Sequence, residues 1–396
     1  MADELHGVRR ARVGIALVFA VHGAVTGTFA TRIPWLQDHL DLGPGELGLA
    51  LIAPAVGSFL AMPLAGRIVH RYGERAAVRA LLMAWTLALA LPALAPNLAV
   101  LWLALFVYGA SAGMSDVAMN AQGVAVEERL GRSVMSGLHG MWCVGGLIAS
   151  GFGVLAAHRG LDARVQFALA AAVLTGLAVV VTRPLLDVRP EPEEEAPPRF
   201  ALPPRSALLI GLVGFCAVFA EGASMDWGGV YLRDVTGASA STAAACYSAF
   251  AATMAAARLA SDTVVERLGP VRSVRLGGTV ATAGGLLVVF STGAWTAIPG
   301  FALIGIGIAV VVPLAFAAAG KSGGNASQAI AGVATVTYTS GLVAPAIVGG
   351  IAQATSLTVS FAVVTVLAAA LIPSAGALRR RTTADRTPAR VPAHVD

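Results

Sequence analysis

Charged residues are scarce in this chain. Asp, Glu, Lys and Arg together make up 12% of its 396 residues, whereas hydrophobic residues make up 57%. A soluble domain carries about 25% charged residues, and half that share cannot cover a water-facing surface of this size. Many apolar stretches of about 20 residues are each long enough to cross a bilayer core of about 30 Å as a helix. The composition therefore excludes a soluble fold and predicts a polytopic α-helical membrane protein.

Cysteine and the motifs of enzyme chemistry are also scarce. The three cysteines, Cys143, Cys216 and Cys246, fall inside apolar spans and lack metal-ligand spacing, which excludes a disulfide framework and a cysteine metal site. The sequence has no Walker-type phosphate loop, so ATP is not the predicted energy source. It also has no nucleophile constellation, and we predict neither an enzyme nor a bound cofactor.

Twelve apolar spans are predicted, six on each side of a polar stretch rich in Pro and Glu that cannot bury a core. The prediction is an all-α polytopic membrane protein with 12 transmembrane helices, arranged as two pseudo-symmetric six-helix bundles. The predicted segments are an N-terminal bundle (1–183), a cytoplasmic linker (184–206), a C-terminal bundle (207–378) and a basic tail (379–396). The predicted spans are 12–33, 46–66, 76–95, 98–124, 134–157, 164–183, 207–232, 242–262, 274–293, 298–319, 328–352 and 357–378.

The two halves repeat each other at an offset of 196 residues. Arg71-x-Gly73 recurs as Arg267-x-Gly269, in a chain whose Lys and Arg together number only 27. Further matches are Arg79 with Arg275, Gly109 with Gly305, Asp38 with Asp234, and Phe19 with Phe215. Duplicated halves in a very hydrophobic chain are typical of transporters that rock around a central site.

Basic residues are distributed unevenly along the chain. With the N-terminus in the cytoplasm, most of the 27 Lys and Arg residues fall in cytoplasmic segments. This positive-inside pattern predicts that both termini are cytoplasmic. It also accounts for the sequence pI of 9.6 without a nucleic-acid partner. The expected partners are the lipid bilayer, a small-molecule substrate and protons, and we expect a monomer.

The segment from Gly66 to Arg75, GRIVHRYGER, links spans two and three. It resembles the cytoplasmic loop signature of the major facilitator superfamily, G-x-L-a-D-R-x-G-R-[RK]. Span count, linker and repeat extend this resemblance to essentially the whole chain. His70 replaces the acid of the signature, and Glu74 replaces a base. The resemblance implies arginines that pair with helix ends in one conformation only, which makes Arg71 and Arg267 gating candidates.

Within that superfamily, the chain is most similar to the fucose–proton symporter branch and its uncharacterised bacterial inner-membrane relatives. This similarity lies in the stretch Gly113–Gly123, GMSDVAMNAQG, in Leu138-His139-Gly140, and in Glu221-Gly222 followed by Asp226-Trp227. Proton-driven drug exporters usually carry an arginine before the glycine of span four and a Gly-Pro pair on span five. Both are absent here, which argues against drug efflux.

Two buried acids are the proton-coupling candidates, Asp116 on span four and Glu221 on span seven. An ionisable group in hydrocarbon costs about 2.5–3.5 kcal/mol, so such a residue is expected to face a partner or a cavity. Asp116 shares a helix face with Gly109, Gly113 and Asn120. The alternative is a small-residue helix contact, for which the two glycines would suffice. The 196-residue repeat does not include this acid, because Asp116 corresponds to Val312 in the second half.

Two further charge pairs are predicted to act as gates. Arg32 and Asp226 lie at comparable depth near the outer ends of spans one and seven, and they could form an outer gate. The alternative is that Arg32 only anchors the chain at the headgroups. Arg258 and Asp262 lie one turn apart on span eight, where they could form a structural latch at the cytoplasmic end.

Seven polar or aromatic side chains are candidates for holding a polar, sugar-like solute through stacking and hydrogen bonds. For His22 the alternative is a hydrogen-bonded packing role, and for Trp227 it is an aromatic belt at the outer interface. The candidates are His22, Asn120, Gln122, His139, Trp142, Trp227 and Tyr338.

The predicted function is a secondary active transporter with alternating access, most simply a proton-coupled symporter of a small polar solute. One alternative is a proton-driven exporter of a hydrophobic or amphipathic compound. An alternative of another class is a membrane sensor that binds a solute without moving it.

Overall fold

We analysed the chain as a computed structural model that describes residues 2–131, 134–187, 205–320 and 326–379. Those residues form fourteen α-helices and two short 3₁₀ turns, Pro92–Leu94 and Ala375–Leu378, with no strand among them. The helices are α1 (Ala2–Ala30), α2 (Ile33–Leu40), α3 (Pro44–Tyr72), α4 (Glu74–Ala88), α5 (Leu98–Leu130), α6 (Met135–His158), α7 (Ala163–Val181), α8 (Arg205–Asp234), α9 (Ala240–Leu268), α10 (Pro270–Val289), α11 (Ala294–Ile308), α12 (Val311–Gly320), α13 (Ala326–Ala354) and α14 (Leu357–Ser374).

The helices account for the twelve predicted spans. α1 continues into α2, and α11 into α12, so each of these pairs forms one span. Eleven segments of the described chain are long and apolar enough to cross a membrane. The remaining span is α10, which carries Arg272 and Arg275 near its first turn. The predicted linker and tail lie mostly outside the described residues.

The same helix pairings occur in both halves. In the first half, α1 packs on α6, α3 on α5, α4 on α5, α4 on α7 and α1 on α7. In the second half, α8 packs on α13, α9 on α11, α10 on α11, α10 on α14 and α8 on α14. These pairs correspond one to one in chain order. The fold is therefore two pseudo-symmetric six-helix bundles, as predicted.

Glycines allow the helices of each bundle to pack backbone against backbone. A Cβ added at Gly23 of α1 would overlap the carbonyl of Trp142 on α6, and one at Gly109 of α5 would overlap the backbone of Pro54 on α3. Helices in a membrane gain little from a hydrophobic effect between them, so close packing of small residues supplies much of the attraction.

The predicted glycine turns are present at both copies of the loop signature. Gly73 joins α3 to α4 with φ +81° and ψ 157°, and Gly269 joins α9 to α10 with φ +75° and ψ 163°. This region of backbone conformation is essentially restricted to glycine. The repeated glycine thus marks a repeated backbone geometry.

The Glu127 side chain, near the end of α5, caps the N-terminus of α6. The first amides of α6, those of Val134 and Met135, donate hydrogen bonds to the Glu127 carboxylate at 2.6 and 3.0 Å. A negative charge at a helix N-terminus also interacts favourably with the helix dipole. Glu127 therefore anchors the start of α6 to the end of α5.

The two bundles touch mainly through α3 with α13 and α6 with α9. At the end where α1 leads into α2, which we call the closed end, hydrogen bonds join the bundles. Gln37 donates to Asp234 at 3.1 Å, Arg233 to Asp38 at 2.6 Å, and Ser248 to Ser150 at 2.9 Å. Backbones also meet there, because a Cβ on Gly48 would lie 2.6 Å from the carbonyl oxygen of Pro345.

The opposite end, which carries the Gly73 and Gly269 turns, is the open end. Among described residues, no hydrogen bond or ion pair joins the bundles there. His139 on α6 is exposed. In the described residues, the hydrogen bonds between the bundles are therefore concentrated at the closed end.

Candidate functional site

A central cavity lies between the bundles, where α6, α8 and α9 meet. Its volume is about 20 Å³, so in this conformation it has room for about one water molecule. One side is aromatic and apolar, and an acid and a base lie on the other. Its lining residues are Trp142, Cys143, Gly146, Glu221, Met225, Tyr247, Phe250, Ala251, Met254 and Arg258.

An ion pair between Glu221 and Arg258 is the main polar feature of this cavity. One guanidinium nitrogen of Arg258 donates to both Glu221 oxygens, at 3.1 and 3.2 Å. The side chains remain 34% and 21% exposed, so solvent screens the pair in part. Cys143 of α6 also lies within hydrogen-bonding reach of Arg258, which places this ion pair against the other bundle.

The predicted partner of Arg258 was Asp262, one turn along α9. The structure instead pairs Arg258 with Glu221 on α8, across the cavity. The Asp262 side chain lies outside the described part of the chain. Arg258 therefore lines the central cavity, and a latch between Arg258 and Asp262 stays a prediction.

The structure does not bring Arg32 and Asp226 together. Arg32 donates to the Gln166 side chain at 2.6 Å and to the Leu161 carbonyl at 2.9 Å, both within its own bundle. α1 ends at Ala30, and the turn that follows directs Arg32 toward the start of α7. The pairs that do join the bundles at the closed end, Asp38–Arg233 and Gln37–Asp234, lie farther along the chain.

Asp226 lies between two tyrosines instead. Tyr108 on α5 and Tyr247 on α9 are both close enough to interact electrostatically with its carboxylate. Tyr247 also lies near Glu221, so this tyrosine interacts electrostatically with both acids of α8. Asp226 forms no ion pair with any residue that the structure describes.

His22 is held in an aromatic cluster beside the cavity. Its Nδ1 accepts a hydrogen bond from the Trp142 indole at 3.1 Å, and its ring lies 3.8 Å from that of Trp85. Because Trp142 lines the cavity, His22 lies one side chain away and fixes the orientation of the indole. This arrangement matches the packing alternative for His22 more closely than direct contact with a solute.

Asp116 and Asn120 form a local pair on α5. The Asn120 amide donates to the Asp116 carboxylate at 3.2 Å and to its backbone oxygen at 2.9 Å. Their neighbours Gly109 and Gly113 pack against Pro54 and Ser58 of α3, so the glycine contact is present. Asp116 is half-buried but does not line the central cavity, and it is not next to Glu221.

Two other predicted solute contacts are fully buried and do not line the central cavity. Gln122 is fully buried, and neither atom of its amide has a hydrogen-bond partner in the described structure. Trp227 is also fully buried, against Gly349, rather than lying in an interfacial belt. His139 faces the open end, with the edge of Phe19 5.2 Å away. The Tyr338 side chain lies outside the described residues.

The loop arginines are free at the open end. Arg71 is exposed over the Tyr72 ring, and Arg267 is exposed without an ion pair to any described residue. Nearby, Arg75 pairs with Asp187 at 2.9 Å, and Arg79 donates to Thr182 at 2.9 Å. A gating role for Arg71 and Arg267 stays a prediction.

Sequence reasoning missed two polar residues that line the cavity, Cys143 and Tyr247, and it also missed Tyr108 near Asp226. None of them carries a charge, so none stands out in the sequence of a membrane-spanning helix. The closed-end contacts did leave a signal, because residues 37 and 38 match residues 233 and 234 at the 196-residue offset. Within the described chain, no cluster of His, Cys, Asp and Glu could hold a metal ion.

The central cavity between two six-helix bundles is the arrangement of a transporter that works by alternating access. The sequence profile of the Major Facilitator Superfamily matches residues 15–345. The chain belongs to this superfamily. It is a membrane transporter of that class, as the loop signature predicted, and the superfamily is one of transporters rather than enzymes.

The sequence relatives extend over nearly the whole chain. An uncharacterised MFS-type transporter of Yersinia pestis is 36% identical over 373 residues, which cover 93% of this chain and 96% of the relative. An uncharacterised transporter of Sinorhizobium fredii, y4wD, is 32% identical over 93% of this chain and 98% of its own length. The membrane protein MosC of Rhizobium meliloti is 30% identical over 87% of this chain and 84% of its own length.

Solved structures share the fold at low sequence identity. The nucleoside transporter NupG superposes with a TM-score of 0.76 at 11% identity, covering 93% of this chain and 99% of its own. A bacterial homologue of the human lysosomal transporter Spinster, inward-facing and occupied, superposes with a TM-score of 0.72 at 15% identity, covering 96% of this chain and 98% of its own. The E. coli fucose:proton symporter FucP superposes with a TM-score of 0.59 at 15% identity, covering 93% of this chain and 98% of its own. At these identities the likeness shows the fold alone.

Proposed function

We propose that this protein is a proton-coupled symporter of a small polar solute, which it moves inward by rocking two bundles around the central cavity. The observation that carries this proposal is the Glu221–Arg258 pair in a cavity between two bundles whose described hydrogen bonds to each other lie at one end. A polar solute that entered from the open end would meet both charges, the Trp142 indole and the Tyr247 hydroxyl.

The orientation follows from the basic residues. The open end carries the Arg67–Arg79 and Arg267–Arg275 segments, which the positive-inside pattern assigns to the cytoplasm. We therefore interpret this conformation as inward-facing, in a bacterial inner membrane with both termini cytoplasmic. We further propose a monomer with N-terminal and C-terminal bundles at residues 1–183 and 207–378.

Asp116 and Glu221 are the proposed proton-coupling groups. Glu221 faces the cavity, and protonation of its carboxylate would remove the charge that holds Arg258. Asp116 is half-buried with only an amide for a partner, and its carboxylate can take up a proton when the bundle moves. The proton would thus control whether Arg258 is paired or free to bind the solute.

A vesicle assay tests the proposal. The purified protein is reconstituted, a pH gradient is imposed, and accumulation of labelled sugars is measured for the unsubstituted protein, Asp116→Asn and Glu221→Gln. We expect accumulation against a gradient in the unsubstituted protein and its loss in both variants. Asp41→Asn, which neutralises an exposed acid at the closed end, is the matched control. Accumulation unchanged in Asp116→Asn removes that residue from the mechanism.

The cavity lining also supports a second candidate, an exporter of an amphipathic compound. Met225, Phe250 and Met254 present apolar surface beside a single ion pair. The two functions differ in the direction of proton movement. Adding the substrate to energised vesicles alters the internal pH with opposite signs for symport and for exchange. Binding without any flux would instead support a sensor.

A further inference from the structure

We propose that the outer face of the N-terminal bundle holds an anionic phospholipid in a groove between α1 and α6 at the open end. Two adjacent grooves, of about 790 and 610 Å³, flank this part of α1 and share Arg9 and Val13. The larger is lined by Gly7, Arg9, Arg10, Val13, Arg183 and Pro184. The smaller is lined by Arg9, Arg12, Val13, Ala16, Leu17, Val134, Gly137, Leu138 and Met141.

The arginines of these grooves have no partner in the described part of the chain. Arg9, Arg10, Arg12 and Arg183 form no ion pair or side-chain hydrogen bond with the residues that the structure describes. Among those residues, none that lines either groove is acidic. Guanidinium groups bind phosphate through several donors at once, so this cluster matches a phosphate-bearing headgroup.

The smaller groove opens toward lipid and not toward the central cavity. Val144, Ile148 and Leu155 of α6 are 43%, 58% and 49% exposed, as residues in contact with lipid would be. Gly137 and Met141 lie on the same face by helical spacing. Cys143, which lines the central cavity, lies on the opposite face of α6, so a molecule in the groove would not occupy the solute site.

The depth of the arginines matches a headgroup. About 20 residues separate Arg12 from Arg32 at the closed end, or about 30 Å at 1.5 Å per residue, close to the thickness of a bilayer core. Arg9 and Arg12 therefore lie at the membrane surface. Val13, Ala16 and Leu17 extend from them toward the core, where an acyl chain would pack.

The packing of α1 against α6 explains why a groove exists. From Gly23 toward the closed end, glycines bring the two backbones into contact, with Gly27 against Gly146 and Gly153 against Thr31. Toward the open end, Gly137 and Gly140 have no neighbour within 4 Å. The helices separate there and leave an apolar slot below the arginines. The apolar slot favours a phospholipid over a free phosphate ion.

The test measures lipid binding to the full-length protein in phosphatidylcholine nanodiscs with increasing phosphatidylglycerol. Native mass spectrometry counts the bound phosphatidylglycerol for the unsubstituted protein and for the double variant Arg9→Gln/Arg12→Gln. An arginine near an anionic surface contributes about fivefold in affinity, so we expect binding about 30-fold weaker in the double variant. Elution volume and helical content establish that the variant is folded.

The control removes the same charge elsewhere at the same end. Arg272→Gln/Arg275→Gln on α10 should leave binding within about twofold. An equal loss in both double variants would show only general attraction to an anionic membrane and would overturn the proposal. Val13→Trp, which fills both grooves without removing charge, should also weaken binding. Unchanged binding in Val13→Trp, or full displacement of the lipid by millimolar inorganic phosphate, would show an anion site without a lipid slot and would also overturn it.

Discussion

Substitution of Gly48 by alanine should push the closed end apart. Gly48 of α3 faces Pro345 and Gly349 of α13, so an added Cβ would lie 2.6 Å from the Pro345 oxygen and 3.1 Å from the Gly349 Cα. Ordinary van der Waals contact begins at 3.4 Å, so the added carbon would lie about 0.8 Å too close to this oxygen. Since these atoms belong to different bundles, the bundles can relieve the overlap by the same rocking motion that opens this end.

The magnitude follows from the cost of overpacking, which is typically about 1–3 kcal/mol. This cost falls only on the closed-end contact and disappears when the bundles separate. A shift of about 1.4 kcal/mol changes a two-state ratio about tenfold. We therefore expect Gly48→Ala to raise the population of the conformation open at the present closed end by about 5- to 150-fold.

Electron–electron distance measurements test this expectation. Spin labels at Asp41 and Thr355, both exposed at the closed end, are introduced into a chain without its three native cysteines. Gly48→Ala should increase the long-distance population. Gly176→Ala, on an exposed face of α7 with no atom within 4 Å, is the control and should leave the distances unchanged. Identical distance distributions in the two variants would refute the reasoning.

Two further outcomes are expected from the ends of the molecule. Gly73→Ala and Gly269→Ala should each destabilise the fold by about 1–3 kcal/mol, because both turns occupy a backbone region that alanine rarely adopts; a melting temperature unchanged in detergent would contradict this. Arg233→Asp should lower transport by placing two acids together at the closed end, and the added change Asp38→Arg should restore it. The native pair is 34% and 49% exposed, so it contributes about 0.2–1 kcal/mol. The effect on the transport rate should therefore be several-fold. A double variant that transports no better than Arg233→Asp would exclude the pairing.

The fold was predictable because the bilayer imposes it. A span must be apolar over about 20 residues and must satisfy its own backbone hydrogen bonds, so its length can be read directly from the sequence. The glycine turns at Gly73 and Gly269 were equally predictable, since a repeated glycine beside a repeated arginine indicates a backbone constraint. These features depend on a few neighbouring residues.

The side-chain partners of the site were not predictable in the same way. Arg258 has an acid one turn away in the sequence, yet it pairs with Glu221 of another helix because the rotation of α9 turns it to the cavity. Trp227 was expected at a solute or at an interface, but it is buried against Gly349. Which helix faces meet depends on packing across the whole bundle, and local periodicity does not contain this information.

The closed-end contacts have a consequence for the history of the chain. Gln37 contacts Asp234, and Asp38 contacts Arg233, so each residue of one pair meets the counterpart of its neighbour. A six-span ancestor that paired with its own copy would have made one such contact twice, and any substitution would have altered both. Duplication into a single chain removed that restriction. One copy could then acquire an arginine and turn a polar contact into an ion pair, while the other kept its glutamine.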